Sequence, residues 1–271
     1  MDDFRRAVLQ ANATTRHFRI VGPDETASNR LPHGFRVTDR AWMESVLPEP
    51  VQRTWDRINI IVAGKPPLCQ WLSMEQAVML CRSGIGIRGR TEHPAGGEPD
   101  VAMACAGAMP TLETLAAVSI LREHLPVLHI RVVIVVDLMA LQPKEVHPHG
   151  VTDAAFDALF TTARPVIFAC HGYPWTIHRL TCRRRNPANI HMRGYNEEGS
   201  TTTPSDMTVL NGLDRHHLVP DVLARVSAAE RAGSGLHHLT QAKLLAHHAH
   251  IRAHGEDMPE IRDWTGKPAA Q

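Results

Sequence analysis

Short apolar runs alternate with longer amphipathic stretches through most of this chain. Ile58-Asn59-Ile60-Ile61-Val62-Ala63 predicts a strand that stops at Gly64-Lys65-Pro66-Pro67. Ser73 stands where an N-cap is needed for a helix from about Met74 to Cys81. Val101 to Ala106 predicts a second strand, closed by Gly107, and Pro110 in a first turn opens a helix over Thr111–His124. Arg131 to Asp137 is apolar on both faces, as a central parallel strand covered on both sides must be. Thr152 caps a helix over Asp153–Phe160, and Pro165 to Cys170 forms a fourth strand. Trp175 to Cys182 reads as helix, Ile190 to Arg193 as a short fifth strand, and the chain from Ser205 as mainly helical.

Gly84-Ile85-Gly86-Ile87-Arg88-Gly89 resembles a dinucleotide fingerprint in its glycines, but it follows a helix instead of a strand, so it is expected to be a loop. Residues 1–56 carry too few apolar positions to fold alone. They hold a short N-terminal helix candidate, a turn at Gly22-Pro23-Asp24-Glu25, a short helix over Thr38–Val46 and a break at Pro48-Glu49-Pro50. The alternation of strand and helix predicts an α/β fold: an open, mainly parallel sheet with helices on both faces. A poorly structured arm (1–56) precedes an α/β domain (57–271).

Composition narrows the function classes. Lys plus Arg number 29 and Asp plus Glu 28, a net charge of +1, so nothing favours nucleic acid or an anionic membrane as partner. No run approaches the about 18 apolar residues of a membrane span. Met1-Asp2-Asp3-Phe4-Arg5-Arg6 is charged with no apolar segment behind it, so no secretory signal is expected. Cys69, Cys81, Cys105, Cys170 and Cys182 are scattered, which reads as reduced thiols in a cytoplasmic protein. Six of the histidines lie between His237 and His254. His250 and His254 share a helix face, but no Cys or carboxylate at ligand spacing joins them, so exposed positions on a polar terminal helix are expected. His147-Pro148-His149 lies in a Pro/Gly-rich loop and is read as structural.

Ligands of open α/β sheets bind at the carboxyl ends of the strands. Four predicted strand ends carry suitable residues: Gly64-Lys65, Gly107, Asp137 and His171-Gly172-Tyr173. Lys65 is the leading candidate, since its ammonium can meet a phosphate as a point charge. The basic cluster Arg179, Arg183, Arg184 and Arg185 is explained by a helix C-terminal dipole as well as by an anion. Ser205-Asp206 reads as a helix start, and no Ser/His/Asp or Cys/His arrangement stands out. Residue chemistry alone therefore leaves the role open.

Longer strings go further. Gly22-Pro23-Asp24-Glu25-Thr26-Ala27-Ser28-Asn29-Arg30-Leu31 resembles the segment joining the first and second domains of phosphoketolases. Ile60-Ile61-Val62-Ala63-Gly64-Lys65 with Gln70-Trp71-Leu72 resembles the entry into that family's last domain, which is similar to the C-terminal domain of transketolases. Gly96 to Val101, Val135 to Met139, Phe168 to Trp175, Arg193 to Gly199 and His254 to Pro259 follow in family order. The resemblance covers about Phe4 to Trp264.

The resemblance implies an aldehyde-lyase reaction of carbohydrate metabolism. Thiamine diphosphate and a divalent metal (Mg²⁺) serve the phosphorolytic cleavage of xylulose 5-phosphate or fructose 6-phosphate, giving acetyl phosphate and an aldose phosphate. It also implies two departures. No Gly-Asp-Gly metal segment occurs, and between Trp42 and Ile58 the chain passes directly over the place of the pyrimidine-binding domain with its activating glutamate. No catalytic, cofactor-binding or metal residue is therefore expected in this chain, and no cofactor bound by it alone. Lys65 is the one residue carried over, as a substrate-phosphate contact. Three readings follow: a fragment inactive by itself, the C-terminal subunit of a split phosphoketolase whose partner chain carries the thiamine-binding domains, or a non-catalytic binding or regulatory module.

Overall fold

A computed structural model describes residues 18–21, 58–61, 69, 71–90, 98–196, 201–227, 229 and 233–266. The chain divides into two compact units, 1–67 and 68–271. In the first, β1 (Phe18–Val21) and β2 (Ile58–Ile61) form a parallel two-stranded sheet with Phe18 opposite Ile58. The strand expected at Ile58 is thus present, and its partner is a four-residue strand within the supposed arm. Four residues are too few for period-two patterning to announce them. The two helix candidates of residues 1–56, the turn at Gly22 and Lys65 lie outside the described residues.

The second unit begins with α1 (Met74–Ser83). A capping box holds its N-terminus: Gln76 N–H donates to the Ser73 hydroxyl, and the Gln76 side chain accepts from Ser73 N–H. Gly84, at φ 72°, ends α1 in the left-handed conformation that glycine adopts without strain. The chain then runs straight into β3 (Ile85–Arg90), which pairs antiparallel with β5 (Ile130–Val135). The loop expected at residues 84–89 is therefore an edge strand. Its alternation, Ile85 and Ile87 against Gly86 and Arg88, was obscured by glycines that weaken strand propensity. A register shift between Ile87 and Gly89 marks a bulge, a common feature of sheet edges.

The remaining strands are β4 (Val101–Ala106), β6 (Val166–Cys170) and β7 (Ile190–Gly194). The sheet order is β3-β5-β4-β6-β7, with every pair parallel except β3–β5. β4 lies at the centre and is buried along its whole length.

Its period-two alternation sends side chains into two cores. Val101 and Met103 join Ala117, Val118 and Leu121 of α2 (Ala108–His124) and Leu218, Val219 and Val222 of α6 (Arg215–Leu223). Ala102, Ala104 and Ala106 face the other core, with Phe168 of β6 and Phe156 and Phe160 of α3 (Asp153–Phe160). The 3-10 turn Leu138–Leu141 and Ile177 and Leu180 of α4 (Pro174–Thr181) complete that core. Three further helices follow: α5 (Pro204–Leu210), α7 (Ser234–His254) and α8 (Pro259–Arg262).

α3 carries two core phenylalanines, so its start matters. Ala155 N–H donates to the Thr152 hydroxyl at 3.2 Å, as the sequence predicts. Thr152→Ala is expected to cost about 1 kcal/mol and lower the midpoint of thermal unfolding by about 2–4 °C. An unchanged midpoint would show that the cap does not hold α3.

Candidate functional site: the carboxyl edge of the sheet

Parallel register gathers three of the four predicted strand ends. Ala106 lies opposite Cys170, and His171 N–H donates to the Ala106 carbonyl at 3.0 Å, so Gly107 and His171 sit side by side. At Gly107, φ is 102°, and a Cβ would meet the His171 Cβ at 2.8 Å. Only glycine fits there. β7 adds Tyr195, whose N–H donates to the Gly172 carbonyl at 2.9 Å and whose ring centroid is 5.1 Å from that of His171.

Asp137 follows β5. One carboxylate oxygen accepts from Met139 N–H at 2.9 Å and caps the 3-10 turn, while the other lies 2.7 Å from His149 Nδ1. Nδ1–H donation to that oxygen leaves His149 Nε2 as the acceptor, free to receive a hydrogen bond from a ligand. His149 N–H in turn donates to His147 Nδ1 at 3.1 Å. Burial, and secondarily His149, lower the pKa of His147 against the opposing pull of Asp137. The Asp137–His149 pair escaped sequence reading because the two residues lie twelve apart, on different segments. The clue available was a histidine loop following a strand that ends in Asp.

The edge is also apolar and open. Tyr173 and Trp175 are 46% and 61% exposed, with ring centroids 6.4 Å apart, and Val136 beside Asp137 is 51% exposed. Cys105 and Cys170, near the ends of β4 and β6, are buried, and burial pushes both thiols up to about 11. Neither is a thiolate nucleophile at neutral pH.

The other sequence candidates are resolved differently. Arg184 is buried: its guanidinium donates to the carbonyls of Leu141, Gln142 and Val151 and pairs with Asp153 at 2.7 Å. It ties three segments together and is neither a solvated dipole partner nor an anion ligand. Ser205 lies in the first turn of α5, as expected, with its N–H donating to Asp257 at 3.1 Å. The all-exposed reading of the terminal histidines fails at His247, which α7 turns wholly inward. His250 and His254 do face each other, with ring centroids 4.4 Å apart.

Among the described residues, no group of three or more His, Cys, Asp or Glu side chains is placed to hold a metal ion. The edge carboxylate, Asp137, is already committed to Met139 and His149. The described donors therefore do not fit a metal-linked diphosphate. Among the described residues no helix is long and apolar enough to cross a membrane.

Comparison with known proteins places these observations. Residues 65–266 match the family described as XFP C-terminal domain, and residues 1–63 match D-xylulose 5-phosphate/D-fructose 6-phosphate phosphoketolase. A probable phosphoketolase of Mesorhizobium japonicum is 43% identical over 386 residues, covering 97% of this chain and 48% of the relative. One from Nitrosomonas europaea is 59% identical over 212 residues, covering 78% of this chain and 27% of the relative. The chain thus spans about half, or less, of the length of these relatives. A transketolase from Leishmania mexicana superposes with a TM-score of 0.43 at 11% identity, over 82% of this chain and 27% of that one. The Mesorhizobium alignment is longer than the 271 residues of this chain, so the relative carries residues inside the matched region that have no counterpart here. With a family match over 65–266 and relatives this similar, the chain belongs to the phosphoketolase family.

Proposed function

We propose that this chain is a phosphoketolase derivative of carbohydrate metabolism from which the pyrimidine-binding domain has been lost, leaving it without thiamine-dependent catalysis of its own. One observation carries this reading. The two family matches abut at residues 63 and 65, while a 43% identical relative holds additional residues within the aligned span. The family's thiamine diphosphate does the electronic work of the reaction, and the protein must position it. With the domain bearing the activating glutamate gone, titration of the chain with thiamine diphosphate and Mg²⁺ together is expected to give no saturable heat. Binding in the micromolar range would overturn the proposal.

A second reading, the C-terminal subunit of a split enzyme, is favoured by the exposed apolar edge at Tyr173, Trp175 and Val136. Large exposed apolar side chains grouped at one place mark surfaces that another domain covers. In that assembly Lys65 would contact the substrate phosphate. Co-expression with the first two domains of a related phosphoketolase, assayed for acetyl phosphate, separates the readings. Activity of the pair supports the split enzyme, and its absence the inactive derivative. In an active pair, Lys65→Ala is expected to lower kcat/KM roughly 10- to 150-fold, the scale of one charge-assisted hydrogen bond. Unchanged activity would refute the role of Lys65 and leave the assembly standing. Recovery of an unrelated protein with the chain would point to a binding module instead.

A further inference from the structure

Helix α7 has 21 residues, of which Leu236, Thr240 and His247 are buried. His247 has no exposed surface, yet neither of its ring nitrogens has a hydrogen-bond partner. Its Nε2 lies 3.5 Å from an oxygen of Asp257, too far for a good hydrogen bond. That carboxylate is already engaged, accepting from the Thr203 hydroxyl and from Ser205 N–H at the start of α5. Residues of α2, α5, α6 and α7 line a small cavity, among them His247 and His216 of α6, whose Nδ1 is also buried and unpartnered. Buried ring nitrogens without partners cost stability even on neutral imidazoles. Nothing in the sheet-edge site requires them.

We propose that His247 is an acid-released latch: neutral, it seats α7 and the Asp257 turn against α5 and α6, and protonated, it frees them. The groups facing it decide the sign. Asp257 from the turn after α7, Asp206 from α5 and Asp214 from α6 favour a proton on His247, and His248 of α7 opposes it. Glu113 of α2 also lines the cavity but is saturated by Arg215, which brings its own positive charge. Asp214 accepts from His216 N–H and faces His217. Asp206 accepts from the Thr202 hydroxyl at one oxygen, while its other oxygen is buried without a hydrogen-bond partner, 3.4 Å from His248 Nε2. Against the pull of these carboxylates, burial wins. It is the largest cause holding both His247 and His216 below the ordinary histidine pKa, and Lys243 of α7 adds to it at His216.

The linkage follows. A histidine whose pKa is lower folded than unfolded contributes its full stability above the unfolded value of about 6.5. That contribution falls as pH drops below about 6.5 and levels off below the folded pKa. Each such histidine shifts the open–closed equilibrium by up to about tenfold per pH unit in that window.

Hydrogen exchange of the whole chain between pH 7.5 and 5, corrected for the intrinsic rate, tests the latch. Protection of residues 234–254 is expected to fall by up to about tenfold per unit below pH 6.5, while β4 and β6 hold theirs. His247→Leu fills the same place without a titrating group and is expected to flatten that fall, leaving only the share of His216. An undiminished fall in the variant would overturn the proposal. So would α7 protection that rises on acidification, since His247 would then be pairing with Asp257 when charged. Should the variant not fold, the imidazole resonance of His247 in the unmodified chain decides: a midpoint at or above about 6.5 rules the latch out.

Discussion

Glu113→Ala is expected to destabilise the α/β unit by about 3–5 kcal/mol, the cost of leaving one partner of a buried ion pair uncompensated. Glu113 on α2 and Arg215 on α6 have side chains only 2% and 6% exposed. The carboxylate accepts from the Arg215 guanidinium twice, at 2.8 and 2.9 Å, and from Arg215 N–H at 2.8 Å. The guanidinium also lies over the Trp264 ring, 5.2 Å from its centroid, so the pair joins three segments far apart in sequence. Removing the carboxylate strands both a buried cation and the first free N–H of α6, since Arg215 is that helix's first residue. Replacing both members, as Glu113→Leu with Arg215→Met, is expected to recover most of the loss, because the penalty is that of the lone charge. Urea unfolding of the single and the double variant measures this. A single variant losing under about 1 kcal/mol would place the pair among weak surface-like contacts.

Phe160→Ala is expected to cost about 3–5 kcal/mol, from lost transfer energy together with the cavity left behind. Phe160 is 1% exposed and stacks at 4.4 Å on Phe156 and at 6.3 Å on Phe168 of β6, so it is the centre of a three-ring column. The alanines of β4 share this core and present little side chain that could swing into the vacancy. Trp175→Ala, a larger truncation at a 61% exposed position, is expected to stay within about 0.5 kcal/mol of the unmodified protein. Unfolding curves of the two should separate clearly. Equal losses would mean that Trp175 is packed against something beyond this chain, as the split-enzyme reading requires, or that the Phe160 site collapses.

The amino-acid sequence determined the local order of this protein by itself. Dense apolar runs marked β4, β5, β6 and β7, and Ser73 and Thr152 marked two helix starts that hold the predicted caps. β5 was legible as an interior strand because both its faces are apolar, though its pairing with β3 is antiparallel. These features depend on neighbours a few residues apart, which periodicity and capping chemistry report directly. The strand ends at Gly107, Asp137 and His171 were also legible, since parallel strands put their carboxyl ends on one edge.

Tertiary structure alone decided what those residues touch. β3 became an antiparallel edge strand through pairing with β5, which its own glycine-rich sequence does not favour. Asp137 met His149 across a loop, Glu113 met Arg215 across 102 positions, and Arg184 went inward to three carbonyls. His247, one of six histidines on a helix that looks polar throughout, was turned into the interior while His248 beside it remained at the surface. A side chain's charge and shape are local properties. Whether it is buried, and against what, depends on which helices the sheet brings together, and that is set only when the whole core packs.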